Sequence, residues 1–240
     1  MIRIRRIISY WIRYAKYLNK FKNFRKDETR FSVFWKDRYP CLFDDTSNTG
    51  FDRHYVYHTA WAARKVKEKK PHVHYDFSSY LYFSAIVSAF VPVKFFDYRP
   101  ADLLLSDLET LSCDLTKLDF KTDSISSISC MHVLEHIGLG RYGDPLDVSG
   151  DLKASAELSR ILAPKGNLYI VLPVGKPRIQ YNAHRIYGFD DVLKLFPGLE
   201  LLDWALIGEN FSDGGLIQRA KREDFENQNY GCGCFHFTKI

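Results

Sequence analysis

A chain of 240 residues, 46% hydrophobic and 26% charged, has apolar material for one large core, and no Pro/Gly/Ser-rich linker divides it. Its net charge of +5 is unevenly placed: residues 1–30 carry ten Lys/Arg against Asp27 and Glu28, a balance of +8, so residues 31–240 sum to −3. A basic arm on an acidic body argues against nucleic acid as a partner, and five cysteines, an odd number in a chain this long, point to reduced thiols in the cytoplasm rather than a disulfide framework.

In the arm, Ile4, Ile7, Ile8, Trp11, Ala15, Leu18 and Phe21 share one helical face, and Arg3, Arg6, Arg13, Lys16 and Lys20 lie mostly elsewhere on the wheel. Residues 1–30 therefore read as a basic amphipathic helix. Such a helix rests in the headgroup layer of an anionic membrane, docks on a partner, or packs on its own domain; membrane contact through residues 1–26 and self-packing are equally supported. Arg13 interrupts the apolar run and no small-residue cleavage site follows, so a signal peptide is not expected. No apolar run approaches the roughly 20 residues that span a bilayer. Pro40 and residues 44–50 read as loop and 51–70 as a helix that can cap a crevice, so that residues 31–70 form a helical lead-in to a domain at 71–240.

From there strands and helices alternate. Strands are expected at 72–76, 93–97, 111–114, 124–131 and 167–173, with helices at 80–90 and 151–162 between them. Ala154, Leu158, Ile161 and Leu162 share a face of the second of these helices, and Pro164-Lys165-Gly166 stops it. A helix at 188–196 and strands at 199–207 and 234–239 complete the chain. Repeated strand–helix–strand means a mostly parallel sheet with both faces covered. The expected fold is a Rossmann-like three-layer α/β sandwich with seven strands, the C-terminal one antiparallel, preceded by N-terminal helices.

The polar crowd at 130–147 follows the fourth strand, where an α/β sheet binds its ligands. It contains His132, Glu135, His136, Arg141, Asp144 and Asp147, with Gly138, Gly140 and Gly143. His132-x-x-Glu135-His136 also spells an inverted zinc-peptidase signature, but that needs both histidines well inside a helix, and His132 is placed at a strand end. The three glycines suggest a phosphate loop, yet no Gly-Lys-Ser/Thr follows; a lid needing positive φ is the better reading. Cys232-Gly233-Cys234 is too tight for a zinc knuckle and reads as structural. No metal site is expected.

Four junctions carry a resemblance: Asp76-Phe77-Ser78-Ser79 after the first strand, Asp97 closing the second, Asp114 after the third, and residues 132–137 after the fourth. With the string Glu157-Leu-Ser-Arg-Ile-Leu-Ala-Pro-Lys-Gly-Asn-Leu-Tyr-Ile-Val-Leu-Pro173, they resemble the class I S-adenosylmethionine-dependent methyltransferases over residues 72–174. Residues 132–147 with 173–187 more closely resemble a domain-of-unknown-function family found among bacterial surface-polysaccharide genes. The resemblance implies S-adenosylmethionine as cofactor. Asp76, Ser78 and Ser79 would lie near its methionine part, Asp97 at the ribose, Asp114 at the adenine amino group, and His132 facing the methyl donor. One departure stands out: the first turn, glycine-rich in such folds so that backbone can approach the ligand, is Phe77-Ser78-Ser79, which narrows the pocket or shifts the turn.

O-methylation calls for a base near neutral pKa, and His132, His136 and His184 are the candidates, with Glu135 orienting one of them. Arg141, Arg178 and Arg185 suit a phosphate or carboxylate, and Asp144, Asp147 and Asn182 suit sugar hydroxyls. For each histidine a structural or capping role is equally supported. The reading is a cytoplasmic methyltransferase for a sugar or glycan precursor, with or without a phosphate link, and with its arm as an option for holding it at the inner face of the membrane. A repurposed, inactive member of the fold is the alternative, and a metal-dependent hydrolase at His132 and His136 a weaker one.

Overall fold

The structure is a computed structural model that describes residues 2–240, with side chains described throughout except at residues 2–4 and Phe211. The chain divides into two compact units, Met1–Phe51 and Asp52–Ile240. In the first, α1 (Ile2–Asp27) is followed by an extended segment that folds back on it. Arg13 donates to the Leu42 carbonyl (3.0 Å) and pairs with Asp45, and Phe21 packs edge-on against Trp35 at 5.5 Å. Ile7, Ile8 and Trp11, from the expected apolar face, are exposed; the side chains of Arg3 and Ile4 lie outside the described residues. No helix among the described residues is long and apolar enough to cross a membrane.

The second unit opens with α2 (Arg53–Lys69), started by Asp52, whose carboxylate accepts from the Tyr55 amide (3.1 Å), and ended at Lys70 in a left-handed conformation. Then follow β1 (His74–Asp76), α3 (Leu81–Val87), β2 (Val93–Asp97), β3 (Leu108–Ser112), β4 (Ile125–Met131), α4 (Gly150–Ile161) and β5 (Leu162–Val174). A hairpin of β6 (Arg178–Gln180) and β7 (His184–Ile186) leads to α5 (Phe189–Leu195), β8 (Leu199–Ile207), β9 (Leu216–Gln218), α6 (Arg222–Glu226) and β10 (Gly231–Lys239). The main sheet runs β3-β2-β1-β4-β5-β10-β8-β9. Its first five strands are parallel, and β10 lies antiparallel to both neighbours. Seven of the eight strands match the expected architecture; the three-residue β9 was too short to carry a period of its own.

Strand periodicity builds the two cores. Along β5, Leu168, Ile170, Leu172 and Val174 join one cluster and Tyr169 and Val171 the other; along β10, Phe235 and Phe237 divide from Cys232 and Cys234 in the same way. Ala154, Leu158 and Ile161 of α4 close the first face, and Trp61, Ala62 and Val66 of α2 the second. Each fully buried Leu or Ile contributes about 1.5–3 kcal/mol, so this double cover fixes the sheet. The carboxyl ends of β1 to β4 consequently share one edge, and the strand order reverses between β1 and β4.

Candidate functional site

The turn after β1 is laced to β4. The Phe77 amide donates to the Ser129 carbonyl (2.8 Å), the Ser79 amide to the Met131 carbonyl (3.1 Å), and the Met131 amide to Ser78 Oγ (3.1 Å). Asp76 is fully buried and accepts from the hydroxyls of Ser129 (2.6 Å) and Ser84. Burial pushes its carboxyl up, against those hydrogen bonds. Asp76 and Ser78 thus brace the turn, and of the two serines Ser79 alone borders the cleft. The turn is closed onto β4 by two backbone amides and one serine hydroxyl.

The cleft has a volume of about 300 Å³. Phe77, Phe96, Leu115 and Val133 give it apolar walls, and Phe77 stacks on Phe96 at 4.8 Å. Asp97, at the tip of β2, accepts from the Arg99 amide (2.7 Å), and Asp114, after β3, from the amide (2.8 Å) and hydroxyl (2.7 Å) of Thr116. Each carboxylate is oriented by a short local turn at the cleft rim. Across β1, the same cleft reaches His132 and His136 beyond β4.

His132 takes φ 55°, the left-handed region uncommon outside glycine, directly after β4. That bend carries its ring inward, where it is 5% exposed. Nδ1 lies 2.9 Å from Glu135 Oε1, and Nε2 3.6 Å from Cys232 Sγ. Burial alone would depress this imidazole, but its bonds to Cys232 and Glu135 outweigh that and push its pKa up to about 10. Burial also raises the Cys232 thiol far above its usual range, so Glu135 is the charge that holds the proton. Glu135 is itself lowered: burial opposes ionisation, and the bond to His132 prevails.

Around His132 stand residues that sequence reasoning missed. The His54 ring is parallel to it at 6.1 Å, His58 is edge-on at 4.9 Å and Tyr55 lies at 5.3 Å, all from α2. Tyr230, just before β10, lies 5.4 Å from His54 and 4.9 Å from His184, which is 6.3 Å from His136. Burial lowers His54 to about 4 and depresses His58 and His184, so these rings are neutral at pH 7. Among the described residues, Glu135 Oε2 and His58 Nε2 are buried without a hydrogen-bond partner. The spacing His54-x-x-x-His58, one helical turn, was visible in the sequence; its target, a strand almost 180 residues later, was not.

The other expected site residues fall elsewhere. Asp144 accepts from the amides of Gly138 (2.8 Å), Gly140 (3.3 Å) and Tyr142 (3.1 Å), stapling its loop. Asp147 caps Ser149 and pairs with Lys153 at 2.6 Å, which holds its carboxyl at about 2. Arg185 is buried, donates to the Ile137 carbonyl (2.7 Å) and faces Asp151 at 3.5 Å. Arg178 donates to the Asn229 side chain (3.0 Å) and carbonyl (2.9 Å), Arg141 to the Ala183 carbonyl (3.2 Å), and Asn182 is exposed on the hairpin. Asp144 and Asp147 line the cleft; Arg141, Arg178, Asn182 and Arg185 do not. Residues Leu134–His136 form a 3-10 turn, and His136 Nδ1 donates to the Ala183 carbonyl (2.6 Å), so the helical His–His spacing of a zinc peptidase is not formed.

The family described as "Caenorhabditis protein of unknown function, DUF268" matches residues 105–228. That description corrects the bacterial surface-polysaccharide setting expected from the resemblance. No curated protein matches the chain in sequence. Among solved structures, the (4+2)-cyclase SpnF is 14% identical with a TM-score of 0.55, over 80% of this chain and 84% of its own. The 1,6-didemethyltoxoflavin-N1-methyltransferase of Burkholderia thailandensis, with 1,6-didemethyltoxoflavin and S-adenosylhomocysteine bound, is 12% identical with a TM-score of 0.54, over 81% and 93%. A Galdieria sulphuraria protein provisionally assigned as a sarcosine dimethylglycine methyltransferase is 13% identical with a TM-score of 0.54, over 77% and 86%. At such identities the likeness establishes the fold, and function is carried by the site.

Proposed function

The chain belongs to the DUF268 family, and from that premise and the geometry of its cleft we propose that it transfers a methyl group from S-adenosylmethionine to a hydroxyl of a small acceptor. The observation that carries this reading is the row of strand ends: Asp97, Asp114 and His132 border one cleft where the strand order reverses. The residues present fit the nucleoside half of the cofactor. Asp97 would hold the ribose diol and Asp114 the adenine amino group, between the apolar walls of Phe77, Phe96 and Leu115. When bound, the cofactor supplies an electrophilic methyl group on a sulfonium.

The chain's own residues orient the acceptor and remove its proton. His132, held by Glu135, is a positioning group at the end of the cleft and not the base. His184, kept neutral by burial, or His136 beside it receives the proton. Tyr55 beside His132, and Tyr230 beside His184, add phenol and imidazole rings next to the cleft, and a sugar stacks on such faces. Asp144, Asp147 and Arg185 shape the loop and hairpin in place of touching substrate. The +8 arm, with Ile7, Ile8, Trp11 and Ile12 exposed, holds the protein to the cytoplasmic face of an anionic membrane.

A second reading, a methyltransferase fold put to another use, is favoured by the first turn, where the Phe77 and Ser79 amides are spent on β4 carbonyls. Isothermal titration separates the two. S-adenosylmethionine and S-adenosylhomocysteine are each expected to bind one site, and Asp97→Ala to weaken both by about tenfold, the worth of a hydrogen bond to a charged group. No heat from either ligand at high micromolar concentration would sink the methyl-transfer reading in favour of the second.

A further inference from the structure

We propose that His54, His132 and Cys232 form a three-ligand site for a divalent transition metal of the zinc class, with a fourth position left to an exchangeable ligand. One ligand atom from each of the three lies within 4.8 Å of the others. The 3.6 Å between His132 Nε2 and Cys232 Sγ is the separation that tetrahedral angles impose, about 3.5 Å for Zn–N of about 2.0 Å and Zn–S of about 2.3 Å. The donors come from α2, the bend after β4 and β10, so the tertiary fold alone assembles them.

The supporting shell points the same way. Glu135 Oε1 takes the Nδ1 proton of His132 at 2.9 Å, which fixes the ring and turns Nε2 toward Cys232, the carboxylate–histidine–metal arrangement of known sites. An independent observation comes from His58. It is fully buried, its Nδ1–H donates to the His54 carbonyl (2.6 Å), and its Nε2 has no hydrogen-bond partner among the described residues. A buried imidazole with an unused lone pair, edge-on to His132 at 4.9 Å, is a donor in reserve beside the site. Two imidazoles and a thiol select zinc-class or cuprous ions and exclude magnesium, calcium and manganese, which need oxygen donors. Coordination releases two protons to solvent, that of the Cys232 thiol and the Nε2 proton of the charged His132, while Nδ1–H stays bonded to Glu135. An acceptor hydroxyl taking the fourth position would lose its proton, to His136 or His184, near neutral pH, a consequence that rests on the methyl-transfer reading; metal binding itself does not.

The test uses the full chain, stripped with chelator and titrated with Co²⁺ and then Zn²⁺. One equivalent of Co²⁺ is expected to give tetrahedral visible bands and a thiolate-to-cobalt charge-transfer band, both erased by Zn²⁺. Cys232→Ser should abolish the charge-transfer band. His54→Gln, at a partly exposed position, should weaken Co²⁺ binding by on the order of a hundredfold, since even supporting-shell losses cost roughly 10–100-fold. Circular dichroism establishes that each variant has folded, and S-adenosylhomocysteine titrations on the same samples read the methyl-donor site separately. Wild-type protein without stoichiometric uptake, or His54→Gln with unchanged affinity, overturns the proposal.

Discussion

His132 and His74 show two fates of a buried imidazole. The first is kept charged by a carboxylate 2.9 Å away; the second, fully buried on β1, is bonded only to the hydroxyls of Ser127 and Ser129, each at 2.8 Å, and burial lowers it to about 3. A histidine in the unfolded chain titrates near 6.5. Between that value and about 3 the unfolded chain takes the proton and the fold refuses it, so the contribution of His74 is whole above pH 6.5 and is lost as pH falls. At pH 5 the loss is about 2 kcal/mol, from about 1.4 kcal/mol per unit. Urea unfolding at pH 7 and pH 5 should show His74→Gln narrowing the difference between the two by about that amount. An undiminished difference in the variant would assign the pH dependence elsewhere.

At the scale of elements, the loop from Gly138 to Gly150 is built more than it is loose. Gly138, Gly140 and Gly143 take φ of 81°, 70° and 84°, as the lid reading required, but Asp144 gathers three of the loop's amides. A Cβ on Gly138 would stand 2.0 Å from the Asp147 carbonyl oxygen, which is backbone and cannot swing away. Gly138→Ala combines that clash with a disfavoured φ, and should cost more than about 1 kcal/mol, seen as a melting temperature lower by about 3 °C or more. Because the loop lines the cleft, S-adenosylhomocysteine affinity should fall as well. A variant that melts with the wild type would mean that the loop adjusts freely. The first turn makes the complementary point: Ser78 and Asp76, read as cofactor contacts, brace the turn because β4 offers their side chains nearer partners.

For the molecule as a whole, charge is divided between the two compact units, +7 on residues 1–51 and −2 on residues 52–240. Residues 1–30 carry +8, although Arg13 is already committed to Asp45 and the Leu42 carbonyl. Flotation with phosphatidylserine liposomes is expected at low salt and should weaken as ionic strength shortens the screening length, to about 8 Å at 0.15 M. Deleting residues 1–26 should abolish it; equal flotation without them would place membrane affinity in the body.

The sequence by itself determined the layered α/β fold, most strand positions, and the acids at the ends of β2 and β3, because alternating burial and strand-end chemistry are local and repeat at short period. Strands 93–97 and 199–207 lie where their apolar patterns put them. Only the tertiary structure decided what each polar side chain spends its hydrogen bonds on. Arg185 is turned inward to Asp151 and the Ile137 carbonyl, and Asp144 and Asp147 to their own loop, while His54 and Cys232 are brought to His132. A side chain's partner is set by long-range packing of helix against sheet and strand against strand, and no spacing along the chain records it.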